Sequence, residues 1–159
     1  MVKVHQGETE ARGRRFAVAI SRFNGIVTSK LLEGALAAFR RQGVTDDDVE
    51  VAWTPGAFEL PITALRLARS GQFDAVVCLG AVIRGQTPHF EFVADQAAAG
   101  VQRVGLETGV PCIFGVLTTE DLDQAMERAG GTHGNKGWES AMAAIEMAGL
   151  MEVLPKQEG

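Results

Sequence analysis

Apolar positions along the chain alternate between short continuous runs and longer stretches with helical spacing. Ala17–Ile20, Val49–Trp53, Ala75–Leu79 and Pro111–Leu117 are the continuous runs, and each predicts a strand. Ala75–Leu79 is apolar at every position, which suits a parallel strand covered on both faces. After the first run, Leu31, Leu32, Ala35, Leu36 and Phe39 predict a helix opening at Thr28 and closing at Gly43. Leu60, Ala64, Leu67 and Ala68 predict a second helix ending near Gly71. Pro61 must lie in its first turn, because deeper inside it would break the ladder. Thr87-Pro88 predicts an N-cap followed by proline at the first helical position, and Phe90, Val93, Ala97, Val101 and Val104 continue that helix. Its middle, Ala97-Ala98-Ala99-Gly100, is either a seam for close packing or simply a good helix former.

The last third follows the same rhythm. Thr118 or Thr119 is expected to cap a helix with Glu120, Asp121 and Asp123 in its first turn and Arg128 in its last, ending at Gly130-Gly131. Lys136–Leu150 predicts a final helix with Ala141, Met142, Ala144, Ile145 and Ala148 inward, and 151–159 a fraying tail. Strand and helix therefore alternate four times before one more helix. That order predicts βαβ units, right-handed crossovers and a three-layer α/β/α sandwich around a parallel four-stranded sheet. The expected organisation is a single domain over 1–159, with an arm at 1–13.

Composition narrows the class. Apolar residues are 46% and charged residues 22% of 159 positions, which is a globular balance. No apolar run approaches the roughly 18–20 residues of a membrane span. Met1–Arg15 is polar and lacks the apolar core of a secretory signal, so a cytoplasmic location is expected. The net charge of −5 argues against nucleic-acid binding, yet leaves room for a local cationic pocket. Cys78 and Cys112 lie in apolar runs without ligand spacing, and His5, His89 and His133 are scattered, so no metal site is expected.

In open parallel sheets, ligands bind beyond the carboxyl ends of the strands. Four segments thus matter: Ser21–Val27, Thr54–Glu59, Gly80–His89 and Gly115–Thr119. Phe23, amid polar neighbours, suits either stacking on a flat heterocycle or plugging the end of the sheet. Glu59 suits either a polyol's hydroxyls or a helix N-terminus. Gly80–Gly85 is a loop or a strand extension. Gly80 and Gly85 suggest a phosphate loop, but Gln86-Thr87 replaces the Lys-Ser/Thr that a nucleoside triphosphate and its magnesium require. Amides at Gln86 and Thr87 can still hold one phosphate. His89 is a candidate proton-transfer group or an exposed helix-start histidine. Arg128 and Lys136 are candidate anion ligands or dipole-matched surface charges.

Five motifs occur in order: Arg22-Phe23-Asn24; Pro55-Gly56-Ala57-Phe58-Glu59; Leu79–Gly85 with Thr87-x-His89-Phe90; Phe114-Gly115-Val116-Leu117-Thr118; and Glu127-Arg128-Ala129-Gly130 with Gly134-Asn135-Lys136-Gly137. Together they resemble the 6,7-dimethyl-8-ribityllumazine synthase family over about residues 14–150. The resemblance implies a flavodoxin-like fold whose segment before Arg14 adds an edge strand to a neighbour's sheet. It implies a transferase that condenses 5-amino-6-(D-ribitylamino)uracil with 3,4-dihydroxy-2-butanone 4-phosphate, the penultimate step of riboflavin biosynthesis. No cofactor and no metal are implied.

Site roles follow from the same resemblance. Phe23 stacks on the pyrimidine with Asn24 beside it, and Ala57, Phe58 and Glu59 take the ribityl chain. Ala81, Val82 and Ile83 line the ring pocket. Gln86, Thr87 and Arg128 hold phosphate, while Phe114 and Lys136 complete the site. His89, with Arg128 and Lys136, carries the chemistry, and Phe114 and Arg128 come from a neighbouring subunit. A homopentamer is implied, and the short Gly130–Lys136 connection is similar to that of members forming an icosahedral shell. Association with riboflavin synthase is a further implication. A non-catalytic flavin or lumazine binder, a storage shell and a flavodoxin-like electron carrier are the rival readings, and the joint presence of His89, Arg128 and Lys136 disfavours the first.

Overall fold

The computed structural model describes residues 1–156. Four parallel strands form the central sheet: β1 (Phe16–Ser21), β2 (Val49–Thr54), β3 (Ala75–Ile83) and β4 (Cys112–Thr119), in the order β2-β1-β3-β4. Period-two alternation decides what each face buries. Phe16, Val18, Ile20, Val77 and Leu79 face one core, together with α1 (Gly25–Arg41), α4 (Leu122–Glu127) and α5 (Lys136–Val153). Ala17, Ala19, Val76 and Cys78 face the other, with α2 (Leu60–Arg69) and α3 (His89–Thr108). The three-layer sandwich is therefore the expected one.

Of the small residues of α3, Ala97 and Gly100 form a packing seam, while Ala98 and Ala99 are exposed. A Cβ on Gly100 would press on the Pro61 ring, so the bare backbone of α3 receives the proline of α2. On the opposite face, a Cβ on Gly137 would overlap the Leu31 carbonyl, where α5 crosses α1. Burial keeps both thiols protonated: the Cys78 thiol is raised well above its usual range and that of Cys112 is pushed up to about 11.

Several boundaries differ from the sequence expectation. α1 begins at Gly25 and not at Thr28, because Asn24 adopts the left-handed conformation (φ 62°) and its carbonyl accepts from Val27 and Thr28. Gly80–Ile83 is strand. β4 likewise runs through Thr118 and Thr119, which pair with Val82 and Ile83. Neither threonine caps α4; Asp121 does, accepting from the Gln124 amide at 2.8 Å. Gly130-Gly131 is not a helix end but part of a small hairpin, β5 (Ala129–Gly131) with β6 (Gly134–Asn135). α3 starts at His89, after Pro88. The Thr87 hydroxyl is 3.5 Å from the His89 amide, too long for the expected cap. α5 continues through Met151 to Val153; of the expected tail, 157–159 lie outside the described residues. Residues 1–15 form no strand within the chain, and Gly7 lies against the α5 backbone at Glu146. Among the described residues no helix is long and apolar enough to cross a membrane.

Candidate functional site

The strand order places the topological switch between β1 and β3, since the chain steps from β1 to β2 on one side and then to β3 on the other. The loop after β1 is tied down from both neighbours. Arg22 and Phe23 donate their amides to Thr54 and Pro55 carbonyls at 2.8 and 3.1 Å. Asn24 Nδ2 donates to the Ala81 carbonyl at 2.8 Å. Asn24 is the one non-glycine residue with positive φ among the described residues. Asparagine tolerates this conformation best, and the surrounding bonds hold it there. The result is a fixed turn that leaves Phe23 70% exposed at the switch point.

Three further segments surround this point. Ala57 is buried beneath a single 3-10 turn, leaving Phe58 exposed and Glu59 half-buried at the start of α2. Ala81 and Val82 are buried and Ile83 half-buried at the end of β3. Gln86, Thr87 and His89 are exposed on the loop into α3. Arg84 clips that loop: its amide donates to the Thr119 carbonyl at 2.9 Å, and its guanidinium lies 3.3 Å from Glu91 and 2.9 Å from Glu120. The same guanidinium sits 4.6 Å from the Phe90 ring centroid.

A second cluster lies beside the unpaired edge of β4. Lys136 donates its amide to the Arg128 carbonyl at 2.8 Å, so the hairpin brings the two cations together. Asn135 orients the start of α5. Its Oδ1 accepts from Gly137 and Trp138, and its Nδ2 donates to the Lys30 carbonyl at 3.0 Å. Gly34 leaves the room that side chain needs. Arg128 Nη1 donates to the Gln124 carbonyl at 3.0 Å. Arg128 and Lys136 line a cavity of about 390 Å³ with Val116, Leu117, Thr118, Thr119, His133 and Glu139. Such a pocket can hold a small anion by charge and by two flexible donors.

The sequence candidates thus fall into two groups. Phe23, Asn24, Ala57–Glu59, Ala81–Ile83, Gln86, Thr87 and His89 gather around the switch point. Arg128 and Lys136 line the edge cavity. Phe114 joins neither; it is half-buried against the core beneath α2 and α3. Among the described residues no hydrogen bond or ion pair joins the two groups. His133, Glu127, Glu139 and Asn135 were not singled out as site residues. The signal for His133 was its place between two candidate cations, Arg128 and Lys136.

A family model described as 6,7-dimethyl-8-ribityllumazine synthase matches residues 13–152, which takes in every residue of both clusters. That family serves riboflavin biosynthesis and consists of transferase-type enzymes. The match covers most of the chain and agrees with the four-stranded parallel sheet, so the chain belongs to the 6,7-dimethyl-8-ribityllumazine synthase family.

Proposed function

We propose that this chain condenses 5-amino-6-(D-ribitylamino)uracil with 3,4-dihydroxy-2-butanone 4-phosphate to 6,7-dimethyl-8-ribityllumazine, releasing phosphate and water. The observation that carries the reading is the division of the site. An exposed aromatic platform lies at one place and a cationic cavity at another, within a chain of this family. Phe23 stacks on the pyrimidine, Asn24 fixes its turn, and Glu59 with Ala57 and Phe58 takes the ribityl chain. Ala81, Val82 and Ile83 wall the ring. Gln86 and Thr87 meet the phosphate from one protomer while Arg128 and Lys136 meet it from the next; Phe114 of that next protomer completes the site away from its two cations.

The reaction forms a Schiff base, loses phosphate and closes a ring. Holding both reactants together supplies most of the acceleration, because effective molarities reach about 10⁵–10⁸ M. The cationic clamp stabilises the charge that develops as phosphate departs. His89 moves protons and contributes only about 10²–10⁴-fold. The test mixes the purified chain with both substrates and follows lumazine absorbance. Wild type is expected to form the product, and His89→Ala to do so more slowly by that factor. Absence of product from the wild type would refute the function. A fall of His89→Ala to the uncatalysed rate would refute the division of labour.

On this reading the site is shared between protomers, which makes the enzyme an oligomer. We infer a homopentamer, with the arm at 1–13 adding a strand to a neighbour's sheet and the short hairpin at Gly131–Gly134 permitting closure into an icosahedral shell. Such a shell could enclose riboflavin synthase. Light scattering at neutral pH is expected to show particles far larger than a pentamer; isolated pentamers alone would rule out the shell.

A further inference from the structure

The edge cavity contains a group that the proposed clamp does not use. His133 stands on the β5–β6 hairpin, held by its amide donating to the Glu127 carbonyl at 2.9 Å, and it is 59% exposed at the side chain. Its Nε2 lies 3.6 Å from Glu127 Oε2. Arg128 Nη1 lies 3.7 Å from the same oxygen. One carboxylate oxygen is therefore shared by the guanidinium and the imidazole.

Charge counting makes the sharing consequential. Arg128 and Lys136 carry two positive charges. Glu127 and Glu139 carry two negative charges against them. With neutral imidazole these cancel, and Glu127 is engaged by Arg128. With imidazolium the cluster gains one positive charge, and Glu127 has a second cation to satisfy. α1 packs on the hairpin through the Lys30 carbonyl, and its own charges, Lys30 and Glu33, are exposed. α4 contributes Glu127, and α5 contributes Lys136 and Glu139. Among these groups, histidine alone ordinarily titrates between pH 5 and 8.

We propose that His133 sets the affinity of this cavity for a dianionic phosphate-like group, by drawing Glu127 away from Arg128 when protonated. The inference rests on the reading of Arg128 as an anion clamp. It makes His133 a tuning residue of that clamp, distinct from the proton-transfer role of His89.

Sulfate is the probe, because its charge is constant over the range in which phosphate itself titrates. Binding to the full chain is measured by calorimetry at about pH 8 and about pH 5.5. Wild type should bind about three- to fivefold more tightly at the lower pH, the size of effect that one partly exposed charge gives. In a His89→Ala background, which removes the other imidazole of the assembled site, His133→Asn should show no such change. Glu127→Gln should bind at pH 8 as tightly as wild type does at pH 5.5. A His133→Asn variant that tightens in that background as wild type does would overturn the proposal, as would a Glu127→Gln variant indistinguishable from wild type at pH 8. Arg128→Ala separates the two levels of the argument. If it binds sulfate as wild type does at both pH values, the clamp itself fails. If it loses binding while His133→Asn in the His89→Ala background still tightens, only the role of His133 fails.

Discussion

Gly137→Ala is expected to destabilise the chain by roughly 3 kcal/mol or more, at the upper end of overpacking substitutions. The methyl group would overlap the Leu31 carbonyl, and a carbonyl in the middle of α1 cannot swing aside as a flexible side chain can. Relief requires α5 to lift from α1, which opens the core around Leu31, Ala141 and Ile145. For a domain of this size, that loss lowers the melting temperature by about 6–12 °C. Gly25→Ala is the control. A Cβ there meets nothing within 4 Å, so its melting temperature should stay within about 2 °C of wild type. Thermal unfolding followed by circular dichroism checks both. A Gly137→Ala melting temperature equal to that of the control would show that the helices do not cross as described.

The second large effect concerns the divided site. Arg128→Ala should raise the KM for the butanone phosphate roughly 10- to 100-fold, as expected for one lost charge-assisted contact to phosphate. The KM for the pyrimidine should change little, because Phe23 and Glu59 lie in the other cluster. His89→Ala damages the opposite half. If each site combines His89 of one protomer with Arg128 of the next, equal co-assembly of the two variants gives about a quarter of interfaces both intact groups. Activity should then rise well above that of either variant alone. Co-assembled variants no more active than the average of the two would place both groups in one chain's site.

The centre of the sheet was legible because β1 and β3 are buried on both faces and betray themselves as apolar runs; β2, at one edge, leaves Val51 and Trp53 exposed. Strand ends were less so: Thr118 and Thr119 look like cap residues, and only pairing with β3 makes them strand. Asn24 as a left-handed cap depended on a bond to Ala81, 57 residues away. Phe23, Glu59 and His89 were visible as candidates because each sits just beyond a strand or at a helix start. The edge cavity was not. Arg128, His133 and Lys136 meet through a hairpin of glycines, whose fold depends on the Lys136 amide finding the Arg128 carbonyl. Glycine-rich segments carry little pattern of their own, so spacing alone could not close that turn.

The seat of Pro61 on Gly100 ties the first turn of α2 to the middle of α3. A proline ring pressed on bare backbone permits neither sliding nor rotation of one helix on the other. The two helices therefore behave as one unit against the sheet.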